Sequence, residues 1–137
     1  MDKSLFFNRK SALAILTLFV FVFAFQMAEP ASAATLISHG YKSFYTNSGD
    51  HYKLTWNVYR TGTYTAVDKL ALYSYDDGSK AYLTCYIKKI SSTKVYVKSY
   101  MDGRYYGSFT ATVSSTTSVA TYAKSFVTQF YYGVKRQ

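Results

Sequence analysis

A chain of 137 residues with a net charge of +9 carries sixteen tyrosines, but only two histidines and one cysteine. A lone cysteine excludes an internal disulfide, and two histidines without a cysteine cluster exclude the usual zinc sites. The length allows one domain of ordinary size.

The first 33 residues have the layout of a secretory signal peptide. Lys3, Arg9 and Lys10 precede an apolar run from Ala12 to Phe25. Pro30 breaks that run, and Ala31-Ser32-Ala33 supplies the small residues of a cleavage site. Fourteen apolar residues rise about 21 Å as a helix, short of a hydrocarbon core of roughly 30 Å. A cleaved leader, rather than a membrane anchor, is therefore expected, leaving a secreted, extracellular domain at 34–137 with no membrane span. Losing Lys3, Arg9, Lys10, Asp2 and Glu29 leaves thirteen basic and five acidic side chains, for a net charge of +8. The acids are all Asp, and the segment contains neither Glu nor Pro. Tyr, Thr and Val dominate, a composition that favours strands.

From 51 onward the period is two. Tyr52, Leu54, Trp56 and Val58 share one face, with Lys53, Thr55, Asn57 and Tyr59 on the other. Ala81, Leu83, Cys85 and Ile87 oppose Lys80, Tyr82, Thr84, Tyr86 and Lys88. Val95 and Val97 oppose Lys94, Tyr96, Lys98 and Tyr100. Such alternation describes antiparallel strands with one buried and one wet face. The fold class is mainly β, an antiparallel β-sandwich or small barrel.

Two turns share the pattern S-Y-x-D-G, at Ser74–Gly78 and Ser99–Gly103, and predict two similar hairpins. In the first, a loop over 76–79 sets Leu72 against Leu83 and Leu70 against Cys85. In the second, apolar matching sets Val97 against Phe109, Val95 against Ala111 and Met101 against Tyr105. That register predicts a β-bulge between 104 and 108. It points Tyr105 inward, and Tyr96, Tyr100 and Tyr106 outward. Beyond it, Val119, Tyr122, Ala123, Phe126, Val127 and Phe130 form a helical stripe over 118–132. Ser118 or Thr117 caps this helix and Gly133 ends it.

Candidates for chemistry are few. His39 and His51 read as polar loop residues, Cys85 as a buried inert thiol, and Asp76-Asp77-Gly78 as a turn rather than a calcium loop. Neither an enzyme nor a cofactor is expected. The feature above background is the outward Lys/Tyr face: Lys94, Tyr96, Lys98, Tyr100, Tyr106, Tyr82, Tyr86 and Lys88. Lysines with exposed rings suit anionic polymers, which charge attracts and rings stack upon. The expected partner is an anionic cell-wall polymer or a lipid-linked envelope component rather than nucleic acid. Tyrosine and threonine on any sheet surface, with lysines guarding edges, give the alternative of a self-associating structural protein.

Residues 39–51, "HGYKSFYTNSGDH", and the ending "FTATVSSTTSVATYAKSFVTQFYY" resemble the small Sec-secreted bacteriocins of the lactococcin group. The shared features are His-Gly-Tyr followed by Ser, Tyr, Asn and His, then an Ala-x-Val start and an aromatic finish. The resemblance covers about a third of the chain. No Trp precedes His39, the middle is longer, and the chain ends Lys135-Arg136-Gln137. It implies a β-sandwich acting on the cell-wall machinery of competing bacteria, with a strand at the C-terminus, and carries over no functional residues.

The leader generates a direct expectation. Intact mass of protein recovered from the medium should begin at Ala34, and full-length chain retained in membranes would overturn the extracellular reading.

Overall fold

The alternating segments become strands of one antiparallel sheet. The computed structural model describes residues 34–137, so the expected signal peptide at 1–33 lies outside the described residues. Six strands follow in chain order: β1 (Thr35–Tyr45), β2 (His51–Arg60), β3 (Thr65–Ser74), β4 (Lys80–Ser91), β5 (Lys94–Met101) and β6 (Arg104–Thr112). Each pairs with its neighbours in sequence, giving the order β1-β2-β3-β4-β5-β6. The protein is mainly antiparallel β, as the alternation predicts. Its sheet does not close into a barrel, and a C-terminal helix, α1 (Val119–Lys135), supplies the second layer.

Helix α1 forms where the period changes from two to 3.6. Ser118 caps it by accepting the Thr121 N–H at 3.1 Å, and the helix runs through Gly133 to Lys135 rather than ending at the glycine. It is a helix, not the strand that the bacteriocin resemblance implies. Its buried stripe is Val119, Tyr122, Ala123, Val127, Tyr131 and Val134. Phe126 and Phe130, on the predicted stripe, pack partly buried against the same core. Both helix ends are tied to the sheet. Lys89 Nζ donates to the Ser115 carbonyl at 3.3 Å before the first turn. The Asn47 N–H of the β1–β2 connection donates to the Lys135 carbonyl at 2.8 Å.

The core lies between α1 and one sheet face, on Phe44, Leu54, Val58, Leu70, Leu72, Leu83, Ile87, Val95 and Val97. Burial of each such side chain contributes about 1.5–3 kcal/mol. The inward residues read from the sequence of β2, β4 and β5 are buried, apart from Trp56, which is partly buried, and Thr84 of the outward set is buried as well. The Trp56 indole lies across β1, where a Cβ on Gly40 would come within 2.7 Å of its Cζ2. Its Nε1 donates to Ser38 Oγ at 3.3 Å. Glycine is required there for close approach, and the indole holds β1 in register.

Two hairpin details differ from expectation. Tyr73 pairs with Lys80, Leu72 with Ala81 and Leu70 with Leu83, so the first register is displaced by two and each side chain keeps its face. The loop keeps four residues but moves to 75–78, closed by the Ser74 N–H donating to the Ser79 carbonyl at 2.9 Å. Tyr75 donates its N–H to the His51 carbonyl of β2 at 2.9 Å rather than pairing with β4, and Asp77 Oδ1 accepts the Ser79 N–H at 2.9 Å. The second hairpin has a two-residue Asp102-Gly103 turn, both residues at positive φ (48° and 71°), which suits the right-handed twist of the strands. Asp102 Oδ1 also accepts the Tyr82 N–H at 2.9 Å. The shared S-Y-x-D-G pattern therefore encodes two different turns.

One core strand position carries an acid. Asp68 on β3 faces α1, with Val58 and Cys85 as its cross-strand neighbours, and is fully buried. Among the described residues neither of its carboxyl oxygens has a hydrogen-bond partner. Burial pushes its pKa up to about 8. Below the ordinary carboxylate value the acid is protonated whether the chain is folded or not. Between there and pH 8 only the unfolded chain ionises, so stability falls by about 1.4 kcal/mol per pH unit. Asp102, also raised by burial, acts in the same direction. Thermal unfolding followed from pH 5 to pH 8 should show the melting temperature falling in the wild type. Asp68→Asn should flatten that slope, and parallel curves for the two proteins would refute the assignment.

Candidate functional site

Among the described residues the sheet face opposite α1 has no second layer, so its side chains must be compatible with water. Register assigns them in rows across the strands. His39, Asn57, Lys69, Thr84, Tyr100 and Tyr105 form one row. Tyr59, Val67, Tyr86, Lys98 and Ser108 form the next, followed by Thr65, Lys88, Tyr96 and Thr110. Toward the other end lie Ser43, Lys53, Tyr73 and Lys80, and then Tyr41, Thr55, Ala71 and Tyr82. Lys94 continues the pattern at the β5 start, opposite Thr112.

Seven of the eight sequence-derived candidates, Tyr82, Tyr86, Lys88, Lys94, Tyr96, Lys98 and Tyr100, therefore share this face. Tyr106 does not. The bulge lies where expected, opposite the Ser99/Tyr100 step, but Arg104 rather than Tyr105 pairs with Met101. Val97 still faces Phe109 and Val95 still faces Ala111. Keeping the two-residue turn leaves Tyr105 on the open face, 57 % exposed, opposite Tyr100. Tyr106 is the extra residue. It is 51 % exposed and lines a groove on the helix side with Met101, Phe109, Phe126 and Phe130. The expected faces of Tyr105 and Tyr106 are thus exchanged, and neither side chain is buried.

The rings of the open face contact one another. Tyr86 and Tyr100 meet edge-to-face at 5.8 Å between centroids, and Tyr100 and Tyr105 at 5.9 Å. Lys98 Nζ stands 5.5 Å from the Tyr100 centroid and 5.7 Å from that of Tyr105. A hydrogen bond with Tyr100 raises the pKa of Lys98, so its charge persists throughout the neutral range. Burial, reinforced by Tyr100, pushes the Tyr86 phenol up to about 12. Lys69, half-buried at the middle of the face, is shifted down by desolvation.

Two features escaped the sequence reading. Both histidines are on strands rather than loops. His39 lies on the open face of β1. His51 opens β2 with its ring stacked between Tyr45 (4.2 Å) and Tyr75 (4.3 Å). The second feature is the sign of the face. Lys53, Lys69, Lys80, Lys88, Lys94 and Lys98 all belong to it, whereas none of the five aspartates does. Asp50, Asp76, Asp77 and Asp102 are in connections, and Asp68 is in the core. Comparing the register of five strands finds this, and single-strand alternation does not.

Among the described residues no group of three or more His, Cys, Asp or Glu is placed to hold a metal ion, and no helix is long and apolar enough to cross a membrane. No family model, curated protein or solved structure matches the chain.

Assignment of the open face generates a stability test. Replacing Tyr100 and Tyr105 together by Ala should change unfolding free energy by less than about 2 kcal/mol, since cross-strand pairs contribute roughly 0.2–1 kcal/mol each. Leu54→Ala, in the core, should lose about 2–5 kcal/mol. Denaturant titration measures both, and a double variant that fails to fold would make this face the core.

Proposed function

We propose that the protein is a secreted, non-catalytic binder of anionic cell-envelope material. The observation that carries this reading is the six-lysine face without a carboxylate. On a surface of mixed sign, a polyanion meets repulsion as often as attraction. Here every fixed charge on the strands of the face attracts it, and the tyrosines offer ring edges and hydroxyls between the charges. Teichoic acids, acidic polysaccharides and anionic lipid headgroups are the extracellular materials of that chemistry. Antimicrobial, bacteriocin-like action is the form that the lactococcin resemblance gives it, and growth inhibition by the purified protein tests that form separately.

Self-association is the second reading. It is favoured by the unpaired outer edges of β1 and β6 and by the apolar groove beside β6. Concentration-dependent sedimentation distinguishes it.

Charge-matched variants test the first reading. Lys88→Glu with Lys98→Glu reverses two charges on the open face. Lys124→Glu with Arg136→Glu makes the same change of net charge on exposed positions of the helix side. The first pair should weaken binding to an anionic wall polymer by an order of magnitude or more, and the second far less. Binding by the wild type should also fall with salt, as screening shortens to about 8 Å at physiological ionic strength. Equal loss in both pairs would reduce the effect to net charge, and salt-independent binding would point instead to an apolar or neutral-sugar pocket.

A further inference from the structure

Tyr86, Tyr100 and Tyr105 on the open face have their rings engaged with one another, but Tyr41 on β1 is 72 % exposed, the most exposed of the large hydrophobic side chains among the described residues. Beside it is a depression of about 270 Å³ lined by His39, Gly40, Tyr41, Lys53, Thr55, Trp56 and Asn57. The register explains its form. Thr55 is opposite Tyr41, Asn57 is opposite His39, and Lys53 is opposite Ser43, so short polar side chains lie between taller ones. Gly40 presents only backbone to the floor between His39 and Tyr41, and its missing Cβ lets the Trp56 indole pack against the reverse side of β1. The Lys53 ammonium stands over the Tyr41 ring, 5.9 Å from its centroid.

We infer that this depression is a subsite for one acidic sugar ring of a glycan, with Tyr41 stacking on the ring, Lys53 taking its carboxylate or phosphate, and His39, Thr55 and Asn57 facing its hydroxyls. The inference rests on the polyanion reading of the same face and assigns it a substrate class. The lining has the make-up of a sugar site: one flat apolar surface for the C–H face of the ring, with several donors and acceptors converging beside it. A base in a nucleic acid would gain most from successive exposed stacking rings, whereas the depression offers one exposed tyrosine ring beside the Thr55 hydroxyl, the Asn57 amide and the His39 imidazole. A flexible acidic polypeptide has no ring to place there. The Tyr86–Tyr100–Tyr105 cluster offers edges more than faces, because its rings already stand against one another. It contributes charge and hydroxyls to a long polymer, and Tyr41 supplies the recognition of sugar.

Binding of the purified protein to three polyanions at matched low salt tests this: polygalacturonate, poly-glutamate and single-stranded oligo-dT. The wild type should prefer polygalacturonate to poly-glutamate. Tyr41→Ala should lower affinity for polygalacturonate on the order of tenfold, about what one stacked ring is worth, while poly-glutamate binding stays within about twofold. Tyr41→Trp should retain the preference. Equal affinity of the wild type for the two polymers, or equal losses on both with Tyr41→Ala, would overturn the sugar subsite and leave the polyanion reading intact. A loss confined to oligo-dT would make the occupant a base and overturn it likewise. No binding to any of the three by the wild type would overturn both readings. Because Tyr41 is exposed on an edge strand, melting of the variant should match that of the wild type, which separates lost contact from lost fold.

Discussion

One amphipathic helix has to serve six strands. An antiparallel sheet presents two faces, and burying either requires a layer of comparable width laid over it. Helix α1 lies over β2 and β3, with β1 and β4 at its flanks, and the described residues supply no second layer for the other side. Everything polar about the sheet follows from this asymmetry. Positions of one parity along β2, β4 and β5 carry mostly Leu, Val, Ile and Cys. Those of the other parity carry Lys, Thr and Tyr, which tolerate water while still favouring extended backbone. Even the under-covered end of the inner face shows the shortage, since Phe109 is 45 % exposed although its ring meets Phe126 of the helix at 6.3 Å between centroids.

Charge is distributed by the same geometry. A carboxylate on the open face would pair with neighbouring lysines and break up the positive field. The chain instead confines its acids to connections, where Asp77 and Asp102 accept backbone N–H groups, and to one core position. Asp68 is the exception that disadvantages folding: an acid held protonated under the helix, where an apolar residue of similar size would pack without a titration. Nothing on the open face depends on it, so its influence is on how firmly the helix layer is held.

Alternation made β2, β4 and β5 readable because each has a consistently apolar parity. β1 was not readable, since an edge strand with only Phe44 buried has no apolar period to detect. The displacement by two in the first hairpin was invisible for a related reason. Shifting by two keeps every side chain on its face, so apolar matching scores both registers alike, and the arbiter is Tyr75 bonding to β2 rather than β4. The exchange of Tyr105 and Tyr106 turns on where within a five-residue window the bulge falls. Face matching beyond the bulge fixes only its presence, and the Asp102-Gly103 turn fixes its position. Asp68 was passed over because one acid inside "TAVDKLALYS" reads as an interruption of the apolar parity rather than a member of it. The lysines of the candidate site were legible strand by strand, but the absence of acids among them is a property of the assembled sheet.

Cys85 has a consequence of a different kind. Its thiol is fully enclosed between Asp68 and the helix layer, and burial holds it in the unreactive protonated form. An intact molecule therefore offers oxidants nothing to cross-link, even where disulfides form readily. A molecule that has opened exposes one thiol, and two such molecules meeting while open are joined permanently. Each covalent pair is thus a durable mark that its two members were unfolded at the same moment. Non-reducing electrophoresis of an aged sample would then count past openings, a history that no measurement on the surviving folded monomers retains.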